Sequence, residues 1–334
     1  MNFRLNKSLK ILSAIALIIF IFASCTSNKE KAYSTWQQYG GNKESNHYSS
    51  LTEIDSSNVA QLQVAWTYHT GDADSMTQVQ VNPVIVDSLL YGLSPKLKLF
   101  ALNAATGKEQ WIFDPMNDTS EEAKRPGFFS LNVSRGVTCY TDGKTDKRIF
   151  FSANSQLYCV DAVKGALIKS FGNNGKVDLH NDLGRDVSSL HVASTTPGII
   201  YKDLIIIGTS VSEEAAAAPG FIRAYDVHTG KLRWIFHTIP QPGEFGYDTW
   251  DDKEAWKHIG GVNVWSGFSL DEKRGILFAP TGSASYDFYG GKRTGNNLFA
   301  TVCLRWMQLQ ANVSGIFKLC IMMCGTGIFR PRPC

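Results

Sequence analysis

A short unit that occurs three times limits what this chain can fold into more than any other feature. It reads LFALNAATGKEQWIF at residues 99–113, LYCVDAVKGALIKSF at 157–171 and IRAYDVHTGKLRWIF at 222–236. Each copy has a short apolar run, a turn that starts with Asn or Asp and contains Gly, and a second run. Such turns join antiparallel strands, because glycine adopts positive φ without strain. Each copy is therefore predicted to be a β-hairpin.

The tryptophan of the unit occupies the same place in the first and third copies, as Trp111 and Trp234, and is lost from the second. An aromatic residue at one place of a repeated hairpin is predicted to pack between neighbouring units. The turn glycines Gly107, Gly165 and Gly230 are farther apart than the roughly 40–50 residues of ordinary propeller repeats, so insertions must lie between the units. Repeated antiparallel sheets that close radially form a β-propeller, and the fold class is predicted to be all-β.

The sequence before the first copy also favours strands. Residues 59–68, VAQLQVAWTY, are predicted to form the first strand. Residues 79–86 and 89–93 are predicted to form a hairpin, because the Asp-Ser pair between them is a turn signal. No long amphipathic helix interrupts the pattern. A single propeller domain is predicted at residues 36–300.

Composition limits the partners of the chain. Its 334 residues, 43% of them hydrophobic, are enough for a large core. The 33 basic and 30 acidic residues are balanced, and no basic stripe is present, so a nucleic-acid partner is not expected. The seven cysteines form no Cys-x-x-Cys pair, which argues against a zinc site.

The N-terminus is typical of an export signal. Basic residues precede an apolar run at residues 11–22, which is shorter than the about 20 residues that span a bilayer. An Ala-Ser-Cys box follows, with Phe22 where bacterial lipoproteins usually have Leu. We expect a lipoprotein-type signal peptide at 1–25, lipidation of Cys25 and a polar tether at 26–35; ordinary cleavage slightly earlier, with a free thiol, is the alternative. Either outcome places the mature chain outside the cytoplasm, and a lipid would anchor it to a membrane of the bacterial cell envelope, on the periplasmic side.

Several stretches resemble one known family. The repeated unit looks like the tryptophan-docking motif of the pyrroloquinoline quinone (PQQ) dehydrogenases. The opening WQQYGGNKESNHYSSLTEIDSSNVAQLQVAWTYHTGD, the segment HTIPQPGEFGYDTW at 237–250 and the segment GGVNVWSGFSLDEKRGILFAPTGSASYDFYGG at 260–291 resemble that family too. Quinoprotein glucose dehydrogenases are the most similar branch; the alcohol-oxidising branch usually has two adjacent cysteines where this chain has Phe129 and Ser130. The resemblance covers residues 36–300 and implies an eight-bladed propeller of which about half the blades are present.

The resemblance implies two cofactors, PQQ and Ca²⁺. PQQ is a flat ortho-quinone with three carboxylates, so it needs a stacking face, cations and hydrogen-bond donors. Ca²⁺ needs oxygen ligands and polarises the quinone carbonyl. By resemblance, Trp265 stacks on PQQ, Arg135 contacts it and Glu213 ligates calcium, with the adjacent Glu214 as an alternative. A core tryptophan, a surface salt bridge and a solvated acidic loop are the purely structural interpretations of these residues.

Smaller polar residues complete the implied site, with some departures from the family. Ser210 and Thr195 match hydroxyls that hydrogen-bond PQQ carboxylates, although either could be an ordinary strand-end hydroxyl. Gln80 stands where many relatives have Glu and could bond PQQ through its amide. Ser283 stands where many relatives have the Asn that ligates calcium, and its hydroxyl is shorter, so water is expected to fill the gap. Leu131 stands where glucose-oxidising relatives often have His, so the identity of the sugar stays open.

The last residues, 301–334, do not fit the rest of the chain. They contain no Asp, Glu or His, and they hold four of the seven cysteines. Another copy of the repeated unit is expected here. The codons of Trp306, Met307 and the following Gln, read one base earlier, give Asp-Ala without any choice of codon. Free synonymous choice elsewhere gives ALDATTGKRVWHFQIVHHDVWDRDFPAPP, which contains the missing motif. We therefore predict a frameshift near residues 301–304; a divergent C-terminal segment is the alternative.

The resemblance implies an oxidoreductase that converts an aldose such as glucose to its lactone and passes the electrons to a membrane quinone. In that family an Asp of the HHD-x-WD element is the general base for the substrate hydroxyl. That Asp is expected in the lost downstream segment, so no catalytic residue is assigned here, and a truncated inactive form is expected. Two alternatives stay open: a non-catalytic propeller lipoprotein that serves as an envelope scaffold, and a PQQ alcohol dehydrogenase of the same fold.

Overall fold

A computed structural model describes residues 33–117, 133–291, 293–307 and 312–318. The predicted signal peptide with Cys25, most of the tether, Leu131 and the Phe129–Ser130 pair lie outside these residues. Within the described ranges, no helix is long and apolar enough to cross a membrane.

Four antiparallel sheets of four strands each make up the described fold. The strands of the first two sheets are β1 (Val84–Val86), β2 (Leu89–Leu93), β3 (Leu99–Asn103), β4 (Glu109–Phe113), β5 (Thr138–Thr141), β6 (Lys147–Ala153), β7 (Gln156–Asp161) and β8 (Lys176–Asp178). Those of the third and fourth sheets are β10 (Ile199–Tyr201), β11 (Leu204–Ile207), β13 (Ile222–Asp226), β14 (Leu232–Phe236), β15 (Ser269–Asp271), β16 (Ile276–Pro280), β17 (Val302–Met307) and β18 (Asn312–Lys318). A small pair, β9 (Val192–Ala193) and β12 (Ser210–Val211), and a short helix α1 (Ala255–His258) lie outside the four sheets.

The hydrophobic core consists of three clusters, each between neighbouring sheets. Tyr91 and Ile149 belong to the cluster between the first and second sheets. Phe171 and Tyr225 belong to the one between the second and third, and Ile222 and Leu277 to the one between the third and fourth. Sheets that pack face to face around an axis in this way form a β-propeller. The predicted fold class is therefore confirmed, with an incomplete set of blades.

Trp111 joins the first two sheets, as predicted, and Trp66 docks on the first sheet in the same way. Trp66 covers Gly107 and Trp111 covers Gly165; a methyl group on either glycine would lie 2.5 Å from an indole carbon. Both glycines have positive φ, +70° and +67°. Each indole N–H donates to a backbone carbonyl in the turn that it covers, at 3.2 Å in both cases. Glycine is therefore required twice over, for the turn and for the close approach of the indole.

The junction between the second and third sheets replaces the missing tryptophan with backbone and an arginine. Gly172 occupies the place of the indole: its nitrogen would lie 2.5 Å from a methyl group on Gly230, and it donates to the carbonyl of Thr229 at 2.9 Å. Arg148 donates to the carbonyl of Val227 at 3.0 Å. That carbonyl holds the position of those that accept the indole N–H groups elsewhere. This junction thus has a polar contact where the junction of the first and second sheets has the indole of Trp111.

Two details of the predicted strands are wrong. In residues 59–68 the structure has a 3₁₀ turn at Val59–Gln61 followed by chain without regular secondary structure. Trp66 docks as Trp111 of β4 does, so this segment occupies the place of an outer strand, and no sheet within the described part of the chain pairs with it.

The second repeat is not a complete hairpin either. Beyond β7, residues 157–171 contribute only a bridge at Leu167, and the outer strand is β8, because the chain turns away where the tryptophan is missing. The hairpin of β1 and β2 is confirmed, with residues 79–83 outside it.

The backbone of β17 and β18 completes the fourth sheet. Met307 pairs with Ile276 at the end of β17. In the other sheets the corresponding places hold Asn103 and Asp226, whose side chains accept hydrogen bonds from the turn that follows. The start of the segment predicted to be out of frame therefore lies in register with the repeated unit. The frameshift itself stays a prediction.

Candidate functional site

A cavity of about 710 Å³ opens at the ends of the sheets where the β9–β12 pair lies. It is lined by loops from all four sheets. All seven cofactor and metal residues predicted from the sequence line it: Gln80, Arg135, Thr195, Ser210, Glu213, Trp265 and Ser283. Residues from distant parts of the chain thus meet in one place.

One wall of the cavity combines an aromatic face with a fixed cation. Trp265 is 49% exposed, which is unusual for an indole, and the guanidinium carbon of Arg135 lies 5.4 Å from its ring centroid. Arg135 donates to the hydroxyl of Thr196 at 2.9 Å and to the backbone carbonyl of Trp265 at 3.2 Å. Its backbone N–H donates to the carbonyl of Thr195 at 2.8 Å. These bonds hold the guanidinium beside the open indole face.

Another part of the lining, here called the carboxylate wall, carries Glu213 and Asp287. Glu213 follows β12 and lines the cavity, whereas the neighbouring Glu214, the alternative that the sequence left open, does not line it. The backbone N–H of Asp287 donates to the carbonyl of Glu213 at 3.1 Å, so the two acidic residues come from adjacent backbone. Burial raises the pKa of Asp287, and the hydroxyl of Ser283 and the charge of Arg293 act in the opposite direction. Its Oδ1 atom is buried without a hydrogen-bond partner.

A histidine also lines the cavity. His191 precedes β9, and its Nδ1 atom is buried without a hydrogen-bond partner. Burial lowers the pKa of His191, and repulsion by His180 lowers it further. His180 is held by Asp178 at 2.8 Å and by the carbonyl of Leu190 at 3.0 Å. The neutral imidazole of His191 therefore presents hydrogen-bonding atoms rather than charge.

The residues present fit both groups that the sequence implied. A flat polyanion would find a stacking face in Trp265, a cation in Arg135 and hydroxyls in Thr195 and Ser210. A hard cation would find carboxylate oxygen in Glu213, and the buried Oδ1 of the second carboxylate described above lacks a partner. Within the described ranges no group of three or more His, Cys, Asp and Glu side chains could hold a metal. Hydroxyls, amides, water or a ligand would therefore complete the coordination.

The sequence did not reveal Asp287, His191 or Thr196. His191 belongs to none of the motifs, Thr196 lies beside the predicted Thr195, and Asp287 lies within the 260–291 segment that resembles the family, but none of the three was assigned a role. Only the fold brings Asp287 beside Glu213, 74 positions away by the numbering, and places Thr196 under Arg135. The one usable signal was the position of Asp287, which closely follows Ser283 in a stretch already suspected of metal binding.

The geometry defines the class of protein: a β-propeller with a cavity at one end of its sheets, lined by aromatic and charged side chains. Residues 36–306 match the family model described as PQQ, glucose/ethanol/alcohol dehydrogenase, beta-propeller domain, and the chain belongs to this family of PQQ-dependent oxidoreductases. The match ends inside the segment predicted to be out of frame.

Curated relatives of several substrate types are similar to this chain. A quinoprotein glucose dehydrogenase of Gluconobacter oxydans is 32% identical over 283 residues, covering 78% of this chain and 34% of the relative. A quinate/shikimate dehydrogenase (quinone) of Acinetobacter baylyi is 30% identical over 284 residues, covering 79% and 34%. A quinohemoprotein alcohol dehydrogenase of Pseudomonas putida is 29% identical over 267 residues, covering 77% and 35%. The chain thus spans about a third of the length of these relatives.

Solved structures share the fold. The quinohemoprotein alcohol dehydrogenase of Comamonas testosteroni superposes with a TM-score of 0.69 at 22% identity, over 87% of this chain and 42% of its own. A europium-containing methanol dehydrogenase gives 0.69 at 21% identity, over 87% and 50%.

Proposed function

We propose that the cavity binds PQQ together with a divalent cation, Ca²⁺, and that the whole protein oxidises an aldose of the glucose type to its lactone. The observation that carries the proposal is the meeting of Trp265, Arg135 and Glu213 in one cavity. Each was selected from the sequence for a different part of this chemistry. A propeller that served only as a scaffold has no need for an open indole beside a fixed guanidinium and a carboxylate wall.

The chain's own residues would bind and orient the PQQ cofactor. Trp265 offers a flat apolar face, and nearly half of its surface is free to receive a ring system. Arg135 is held by two hydrogen bonds, so little side-chain entropy is lost when it pairs with a carboxylate. Ser210 and Gln80 supply further hydrogen-bonding groups. When bound, PQQ supplies the acceptor for two electrons and the cation polarises its carbonyl.

The cation belongs on the carboxylate wall. Glu213 provides a charged oxygen, and Ser283 provides a hydroxyl where relatives have an amide, with water filling the shorter reach. The general base for the substrate hydroxyl is not among the residues assigned to the cavity. We place it in a downstream HHD-x-WD element, which the predicted frameshift would remove, so the chain with this tail would bind its cofactors without turnover.

The location and the electron acceptor follow from the same proposal. A lipid on Cys25 would anchor the propeller at a membrane of the cell envelope on the periplasmic side. A membrane quinone would then be within reach as the acceptor of electrons. The relatives named for glucose and for quinate or shikimate support a polyhydroxylated substrate, and the alcohol dehydrogenase relatives define the competing one.

The experiment is a dye-linked activity assay. The protein is expressed from the gene after its reading frame has been restored between codons 301 and 304. The purified protein is loaded with PQQ and Ca²⁺ and offered glucose, quinate, glycerol and ethanol. The proposal expects reduction with glucose or another aldose above all others. Preference for ethanol would replace the aldose with an alcohol. Absence of bound PQQ and of dye reduction with every substrate would favour the scaffold.

A further inference from the structure

Asp287 is a cavity residue to which no role has been assigned so far. It lines the cavity, and its Oδ1 atom is buried with no hydrogen-bond partner. A buried carboxylate oxygen without a partner is costly, because it has lost its hydration and received nothing in return. Such an atom is retained where a ligand outside the polypeptide satisfies it.

Local contacts restrict what that ligand can be. The backbone N–H of Asp287 donates to the carbonyl of Glu213, and both residues line the cavity, so neighbouring backbone brings two acidic residues to one part of its lining. The Ser283 hydroxyl also lines the cavity. A wall with two carboxylates and a hydroxyl repels anions and attracts a hard cation that prefers oxygen.

The nearest positive side chain does not take this role. Arg293 acts on Asp287 electrostatically, yet no ion pair joins the two among the described residues, and the Arg293 Nε atom is itself buried without a partner. One terminal nitrogen of Arg293 donates instead to the backbone carbonyl of Tyr286 at 3.0 Å. Arg293 therefore fixes the loop that carries Asp287 without pairing with its carboxylate.

We propose that Asp287 is a direct oxygen ligand of the cation in this cavity and compensates for Ser283. The inference rests on the proposed function, because it concerns the same cation. Ser283 gives a short neutral hydroxyl where an amide oxygen would reach farther. Asp287, a little farther along the same loop, restores the lost oxygen and adds a negative charge. The pair Ser283 and Asp287 together thus does what one longer side chain would do alone.

The test measures cation binding rather than activity. Purified chain is titrated with Tb³⁺, whose luminescence is excited through tryptophan, and the bound Tb³⁺ is then displaced with Ca²⁺. Asp287→Asn keeps the shape and removes the charge; it is expected to weaken binding by about 10- to 100-fold, the range found when groups around a metal are removed. Glu214→Gln is the matched control, because it removes a neighbouring charge that does not line the cavity. It is expected to leave the affinity unchanged.

A second variant distinguishes the loss of a cation ligand from general destabilisation of the protein. Ser283→Asn added to Asp287→Asn restores an amide oxygen, and it is expected to recover much of the lost affinity. Glu213→Gln is expected to weaken binding as well. If Glu213→Gln abolishes binding while Asp287→Asn does not change it, the cation site stands and this inference is overturned. If the unsubstituted chain binds no Tb³⁺, the cation part of the proposed function fails, and this inference fails with it.

Discussion

Replacing Gly165 with alanine tests the docking of Trp111 that holds the first two sheets together. Gly165 has φ +67°, and a methyl group there would lie 2.5 Å from one indole carbon and 2.6 Å from another. Alanine therefore suffers twice, from the left-handed backbone and from the indole. Gly143 is the matched control, because its φ is +76° and nothing lies within 4 Å of the position of its methyl group.

The two effects can be separated in magnitude. The left-handed conformation costs about 1–2 kcal/mol for an ordinary residue. Forcing an extra methyl group into a packed contact costs about 1–3 kcal/mol more. Gly143→Ala is thus expected to lower the free energy of unfolding by about 1–2 kcal/mol, and Gly165→Ala by about 2–5 kcal/mol.

Urea unfolding, followed by tryptophan emission and by circular dichroism, measures both free energies. A double-mutant cycle completes the test. In a Trp111→Ala background the indole is gone, so the cost of Gly165→Ala should fall to that of Gly143→Ala. Equal costs for the two glycines in the unsubstituted chain would refute the docking argument. An unchanged cost of Gly165→Ala after removal of the indole would refute it too.

Other predictions concern stability and reactivity. Arg148→Leu removes the donor to a buried carbonyl of the next sheet and should lower the free energy of unfolding by about 1–3 kcal/mol, as measured in urea. Burial and His180 lower the pKa of His191, so the unfolded state takes up a proton before the folded state does as the pH is lowered. The urea concentration at the midpoint of unfolding should therefore decrease as the pH is lowered from about 7.5 to about 5, and it should decrease less in His191→Gln. Burial raises the pKa of the Cys159 thiol to about 12 and raises that of Cys139 as well, so iodoacetamide at about pH 8 should modify neither until urea is added, as mass spectrometry would show. A flat pH profile, or rapid labelling of the native thiols, would contradict these expectations.

The repeated unit made the fold predictable, because its turn glycines and tryptophans are the residues that form the contact between neighbouring sheets. Where the contact changes, the prediction failed. The second copy lacks its tryptophan, and the chain turns away at Gly172 and forms its outer strand later. Residues 59–68 have the alternation of a strand, but a strand needs a partner, and none of the described sheets provides one.

The sequence predicted residues that the structure brings to one cavity where the family motif fixes their positions, and it left the choice open elsewhere. The sequence could not distinguish Glu213 from Glu214, because the choice depends on which side chain the end of β12 turns to the cavity. His191 could not be found from the sequence, and Asp287 was indicated only by its position near Ser283. Their significance lies in buried atoms without partners, and such a property belongs to the packing and not to any sequence pattern.

The central claim is that the cavity binds PQQ against Trp265, and one titration tests it directly. PQQ is added to the purified chain in the presence of Ca²⁺ while tryptophan emission is recorded, with Trp265→Phe as the comparison and a cooperative urea transition as proof of folding. The account predicts saturable quenching at a single site, weaker binding in Trp265→Phe and a requirement for Ca²⁺. Folded protein that shows no saturable quenching, or that binds equally well after Trp265→Phe, would contradict it.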